Sequence, residues 1–197
     1  TVMTFTFSEA VTGFDNTDIT VIENGTLTPV SSLDGGITWT GTFTPTADIE
    51  DITNVITVNL TGVADLATNA GVGTEDSANY EIDTLRPTVS ITLGDDALMI
   101  GDTSLLTFTF SEVPTGFTAA DVATPNGAIG AIDDTNPLIQ TATFTPDADV
   151  EVATNVITVG TSLTDPAGNE PIGSTDSANY KVDTKRPTVV ITLADYA

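Results

Sequence analysis

Three blocks of this chain occur twice, in the same order, each copy roughly 100 residues after the first. "FTFSEAVTGF" (5–14) returns as "FTFSEVPTGF" (108–117), and "FTPTADIEDITNVITV" (43–58) as "FTPDADVEVATNVITV" (144–159). "DSANYEIDTLRPTV" (76–89) returns as "DSANYKVDTKRPTV" (176–189). Such a chain folds as two copies of one small domain, with the length differences absorbed in loops. Its 197 residues, 40% of them hydrophobic, suffice for two ordinary cores.

Within each copy the local signals are β. Apolar residues alternate with Thr, as half-buried strands require. Met3, Phe5 and Phe7 share one parity, as do Leu106, Phe108 and Phe110. Side chains alternate faces along a strand, so these rows point into a core. On the same parity, Glu9 and Glu112 end both rows with a carboxylate.

In the second copy, strands are expected at 87–93, 104–111, 119–124, 138–145, 154–160 and 177–183, with one more after the Asn126-Gly127 turn. The first copy turns at Asn24-Gly25, and both residues of such a dipeptide tolerate positive φ. No stretch carries a 3.6-residue period with caps. The fold class is therefore all-β: two tandem immunoglobulin-like seven-strand β-sandwich domains arranged end to end. The first repeat, 1–84, lacks its opening strand; the second is 85–186; residues 187–197 open a following repeat.

Charge narrows the partners. Acidic residues number 28 against 4 basic ones, a net charge of −24. Such a surface repels nucleic acid and anionic lipid. Direct membrane insertion is not expected, because no apolar run approaches the roughly 18 residues of a spanning helix. The chain has neither Cys nor His, which removes disulfides, zinc–thiolate sites and the commonest general base. The sustained period-2 pattern argues against disorder, leaving cations as the natural small partners.

The "FTFSE…TGF" opening, the "FTP…TNVITV" block, the "DPAGN" loop (165–169) and the "DTLRPTV"/"DTKRPTV" junctions resemble the bacterial Ig-like repeats of giant RTX-type adhesins of Gram-negative bacteria. The resemblance covers essentially the whole chain. It implies a calcium-dependent extender exported by type I secretion to the cell surface. There it would hold adhesive end domains away from the cell and support adhesion and biofilm formation. The first repeat departs from the pattern at "DLATN" (65–69), so a role for the loop glycine is not general.

In a sandwich of alternating strands the loops gather at two ends. Glu112 belongs to the end where the second repeat begins, and the loop acids Asp165 and Asp176 are expected beside it. Asp48, Glu50 and Asp83 belong to the end where the first repeat leaves. Six acids then converge on one linker. Bare, they would repel one another and raise their own pKa values. Calcium, with its tolerance for irregular oxygen ligands, resolves that conflict. The same positions in the other copies add Glu9, Asp149, Glu151 and Asp183 to the candidate metal ligands; for any one of these acids a solvated loop tip is the alternative. Asp18 and Asp121 read as turn formers or outer ligands, and "GDD" (94–96) and "DDTN" (133–136) as turns.

No EF-hand or G-G-x-G-x-D repeat is present. The adjacent carboxylates Glu50-Asp51, Asp95-Asp96 and Asp133-Asp134 have no evident cleft for glycoside chemistry, and catalysis is not expected. Trp39 is the candidate sugar platform of an alternative reading, a glycan- or protein-binding recognition module. Its counterpart is Gln140, which points to a rim position. Finally, "PTVVITL" (187–193) duplicates the opening strand that the first repeat lacks. Head-to-tail strand exchange between molecules is one expectation from that pairing; the alternative is a segment simply cut there, with a loose tail.

Overall fold

The computed structural model describes residues 1–193 and divides into two compact units, Thr1–Leu85 and Arg86–Ala197. In unit 1 the principal strands are β1 (Val2–Thr6), β2 (Ile19–Ile22), β3 (Gly25–Leu27), β4 (Thr38–Pro45), β5 (Glu50–Asn54), β6 (Ile56–Asn59), β7 (Thr74–Asp76) and β8 (Tyr80–Asp83). One sheet runs β1-β4-β3, and the facing layer is built from β7-β6-β2 and β8-β5. All these pairs are antiparallel, with Phe5 opposite Trp39 in the first sheet.

Unit 2 repeats that plan and adds to it. Its strands are β9 (Val89–Leu93), β10 (Ala97–Met99), β11 (Ser104–Phe110), β12 (Val122–Ala123), β13 (Gly127–Ile129), β14 (Ile139–Pro146), β15 (Glu151–Asn155), β16 (Thr158–Val159), β17 (Thr175–Asp176) and β18 (Tyr180–Asp183). One sheet is β9-β11-β14-β13; the other layer comprises β12-β16-β17 and β10-β18-β15. β10 lies parallel to β18, with Leu98 opposite Val182. The first four strands of the opening sheet follow the expected sandwich closely.

The period-2 pattern accounts for the core. Leu106, Phe108 and Phe144 have no exposed surface, and Phe110 retains 5%. Burying such a side chain stabilises by about 1.5–3 kcal/mol. Phe117 packs edge-on against both Phe108 and Phe110, and Phe14 does the same for Phe5 and Phe7. These edge-to-face pairs explain the Phe in both "TGF" segments.

Three expectations about strand limits are corrected. The stretch 119–124 is not one strand: a single 3-10 turn, Ala119–Asp121, precedes the two-residue β12. Its cause is a capping box in which the Asp121 carboxylate accepts from the Thr118 amide at 2.7 Å. Asp18 does the same for Asp15 in unit 1, at 2.9 Å. The stretch 154–160 also breaks, into β15 and β16, with a register shift between Val152 and Asn155. Lastly, the ladders of β1 and β11 stop at Thr6 and Phe110, before either glutamate. Glu9 is exposed whereas Glu112 is half-buried, so only the second row carries its carboxylate inward.

Candidate functional sites and the polar frame

Unit 2 brings two of the expected acids together. Carboxylate oxygens of Glu112 and Asp165 lie within 4.8 Å of each other. Asp165 is 1% exposed and opens the loop that closes on Asn169. Its Oδ1 accepts from the Asn169 amide at 2.8 Å and its Oδ2 from Asn169 Nδ2 at 2.7 Å. Burial pushes the Asp165 carboxyl upward, but the Asn169 bonds and the Gly168 and Ala167 amides outweigh it and hold the pKa below the usual range. Paired carboxylates at this separation are oxygen donors of the kind a hard cation takes.

Unit 1 builds the same loop from "DLATN". Asp65 accepts from the Asn69 amide at 2.8 Å and from Asn69 Nδ2 at 2.7 Å, which lowers its pKa. The left-handed corner of this loop is Gly168 (φ 94°) in unit 2 and Thr68 (φ 72°) in unit 1. A Thr there is strained, and the paired bonds of Asp65 hold it in place.

A second pair recurs in both units. Glu50 lies opposite Asp83 across β5 and β8, and Glu151 opposite Asp183 across β15 and β18. Directly opposed like charges destabilise a strand pair. Lys185 Nζ stands 3.7 Å from Glu151, an ion pair between two exposed side chains that is worth little. Asp48 and Asp149 are exposed turn residues at φ 57° and 59°, a conformation Asp tolerates. Asp176 is exposed on β17, and its Oδ1 accepts from Thr158 Oγ1 at 2.5 Å. It does not join the group to which Glu112 and Asp165 belong.

Trp39 packs edge-on against Phe14 and donates its indole N–H to the Gly36 carbonyl at 3.1 Å. Gln140, far from the rim at 5% exposure, donates Nε2 to the carbonyl of Pro137, likewise three residues back. A half-buried ring with its donor engaged is a packing residue first.

The repeated polar motifs turn out to be a frame. Asn54 and Asn155 are buried, and each donates Nδ2 to the carbonyl of the tyrosine that opens β8 or β18. Asn24 and Asn126, the hairpin asparagines at positive φ, donate to them at 2.6 Å. Asn79 and Asn179 accept from their backbone amides. Tyr80 Oη donates to the Glu23 carbonyl and Tyr180 Oη to that of Pro125. Thr84 and Thr184 close the frame by donating to the carbonyls of Thr46 and Asp147. The signal was present in the repeated "TN", "NG" and "SANY…DT".

A family model for the bacterial Ig-like domain matches twice, over residues 1–82 and 83–182. The chain belongs to the bacterial Ig-like domain family. Among curated proteins, none matches it. A solved chain of FdeC, described as an Escherichia coli adhesin, is similar at 12% identity with a TM-score of 0.39. That likeness covers 92% of this chain and 53% of the FdeC chain, so the bacterial Ig-like pair spans about half the length of that relative. Among the described residues no helix is long and apolar enough to cross a membrane.

Proposed function

We propose that this tandem pair is an extender segment of a secreted or cell-surface bacterial adhesin, stiffened by calcium at the linkers between repeats. The observation that carries the reading is duplication without specialisation. Both units keep the same polar frame, the same Asp–Asn loop and the same acid pair at the end of their last strand. A recognition module would normally differentiate one copy, and Trp39 has its donor and one face engaged inside unit 1.

Calcium takes oxygen ligands at about 2.3–2.6 Å, so two ligand oxygens on one ion lie within about 5 Å of each other. The Glu112–Asp165 separation fits that limit. In this reading Asp83, at the end of β8, supplies a further carboxylate from the linker side, and Asp183 does so for the next repeat. Export by type I secretion, RTX-type parentage and a role in biofilm belong to the same proposal.

The test is small-angle scattering and calorimetry with calcium and with chelator. Linkage at a 10- to 100-fold excess of ion gives about 1.4–2.7 kcal/mol per site. The expected result is a longer particle and a higher melting temperature with calcium, both lost in Asp83→Ala combined with Glu112→Ala. Equal dimensions and equal melting in the two buffers would make these acids ordinary surface charge.

A further inference from the structure

Asn24-Gly25 and Asn126-Gly127 are the two places in the chain where Asn precedes Gly. Glycine is obligatory at both: a Cβ at Gly25 would lie 2.2 Å from the Phe43 ring, and one at Gly127 would lie 2.4 Å from that of Phe144. Both rings are buried in their cores. With no side chain to shield it, a glycine amide is the backbone nitrogen best able to attack the carboxamide of the residue before it. Core packing thus fixes a reactive dipeptide into each copy.

The polar frame holds the reacting groups apart. Attack requires the Asn side chain to swing back over the peptide that follows it. Asn126 Nδ2 is instead held by Asn155 Oδ1 at 2.6 Å, and Asn24 Nδ2 by Asn54 Oδ1 at 2.6 Å and Asp51 Oδ2 at 2.9 Å. The peptide plane that carries the nucleophile is fixed as well. The Asn126 carbonyl accepts from the Asp147 amide at 2.9 Å, and the Asn24 carbonyl from the Thr46 amide at 2.8 Å. One residue earlier, the Tyr180 and Tyr80 hydroxyls donate to the Pro125 and Glu23 carbonyls. Each turn is pinned at its side chain, its peptide and the carbonyl before it.

We propose that Asn24 and Asn126 are sites of covalent self-modification, released when the polar frame of their unit opens. The Gly127 nitrogen attacks Asn126 Cγ and forms the N–Cγ bond of a succinimide. The Cγ–Nδ2 bond breaks, and Nδ2 leaves as ammonia with the proton that the Gly127 amide gives up. Water then opens the ring at either carbonyl, leaving aspartate or isoaspartate at position 126; Asn24 and Gly25 react in the same way. The product does not close the frame again. A carboxylate oxygen would face Asn155 Oδ1, acceptor against acceptor. Asn155 cannot turn its amide round, because its Nδ2 serves the Val152 and Tyr180 carbonyls, both at 3.2 Å. In unit 1 the new carboxylate would also face that of Asp51, adding like-charge repulsion. Isoaspartate further inserts a methylene into the backbone where β3 or β13 begins, against a register that the ladder fixes. One opening thus becomes a permanent loosening of that unit.

Ageing of the full chain at mildly alkaline pH, followed by peptide mass mapping at positions 24 and 126, is the test. In the folded parent both sites should deamidate far more slowly than in the same chain unfolded in urea. Asn155→Ala should speed the reaction at Asn126 about tenfold or more, with Asn24 in the untouched unit as internal standard. Leu98→Ala weakens unit 2 from its core without touching the frame, so the Asn126 rate should stay near the parent's. Asn126→Asp, the reaction's own product, should lower the unit 2 transition, and Asn24→Asp that of unit 1. Asp tolerates positive φ, so strain in the turn does not account for either loss. Equal acceleration by Asn155→Ala and Leu98→Ala would overturn the inference, because unfolding alone would then set the rate. So would a folded parent that deamidates as fast as the chain in urea, or an Asn126→Asp chain that melts with the parent.

Discussion

The side-chain amide of Asn126 donates to Oδ1 of Asn155 at 2.6 Å, and Asn24 holds Asn54 in the same way. A hairpin turn is thereby locked to the break between β15 and β16. Asn155 also donates to the carbonyls of Val152 and Tyr180, both at 3.2 Å. Its side chain takes the place of ladder bonds where the strand shifts register.

Asn155→Ala leaves buried partners unsatisfied, each costing about 1–3 kcal/mol. We expect a loss of about 2–5 kcal/mol confined to unit 2, a large share of a domain's ordinary stability of about 5–15 kcal/mol. Calorimetry should show one transition falling in Asn155→Ala and the other falling in Asn54→Ala.

Thr68 at φ 72° and Gly168 at φ 94° occupy the same loop corner. A Cβ at Gly168 would meet no atom within 4 Å, so backbone strain alone decides the outcome there. The left-handed conformation costs a non-glycine residue about 1–2 kcal/mol, part of which the added chain freedom of Gly cancels. Thr68→Gly should therefore stabilise by up to about 1 kcal/mol, and Gly168→Thr should destabilise by about 1 kcal/mol. Denaturant titration of each variant against the parent measures both signs.

Acid should loosen one loop before it unfolds the units. Asp34 accepts from the Thr38 and Ile37 amides and from Ser32 Oγ, and those bonds lower its pKa to about 2. The folded value lies below the unfolded one, so this contribution is full above about pH 4 and fades as pH falls toward 2. The protection factors of the Ile37 and Thr38 amides, relative to an unstructured chain at the same pH, should fall over that window in the parent. Asp34→Asn should show low protection at these amides already at neutral pH, with little further change in protection as pH falls.

Leu98, on β10, is 1% exposed and packs into the core of unit 2. Truncation of a buried Leu costs about 2–5 kcal/mol, the range reflecting how far the site collapses. Leu98→Ala should lower the unit 2 transition and leave unit 1 unchanged, whereas Met99→Ala, at an exposed neighbour, should do little. Equal effects at the two positions would deny β10 its place in the core.

Much of this fold was legible because its rules are local. The Phe–Thr alternation set the faces of β1 and β11, and the Asn-Gly dipeptides set the turns before β3 and β13. What stayed hidden depends on residues distant in sequence. Asn155 looked like part of a continuous strand because its partners Asn126 and Tyr180 lie 29 and 25 residues away. β10 was not anticipated: the reading stopped at the turn "GDD" (94–96), although "ALMI" (97–100) offered an apolar run just after it. At the candidate sites, parity alone placed Glu9 inward, and it failed because the ladder of β1 stops at Thr6. The Glu112–Asp165 approach was legible, since both lie in loops at one end of a sandwich. Asp48 and Asp149 recur for a different reason, the left-handed turn that each must make.

The parallel pairing of β10 with β18 has a consequence under tension. β10 lies near the start of unit 2 and β18 near its end, matched at Ala97–Lys181, Leu98–Val182 and Met99–Asp183. Pulling the two ends of the unit apart drags these neighbouring strands in opposite directions along their own axes. The hydrogen bonds between them are then strained together, in shear, and cannot open one at a time as an unzipping hairpin would. A domain closed in this manner resists stretching along its length far more than peeling from one side, and its rupture force is set by one short ladder near its margin.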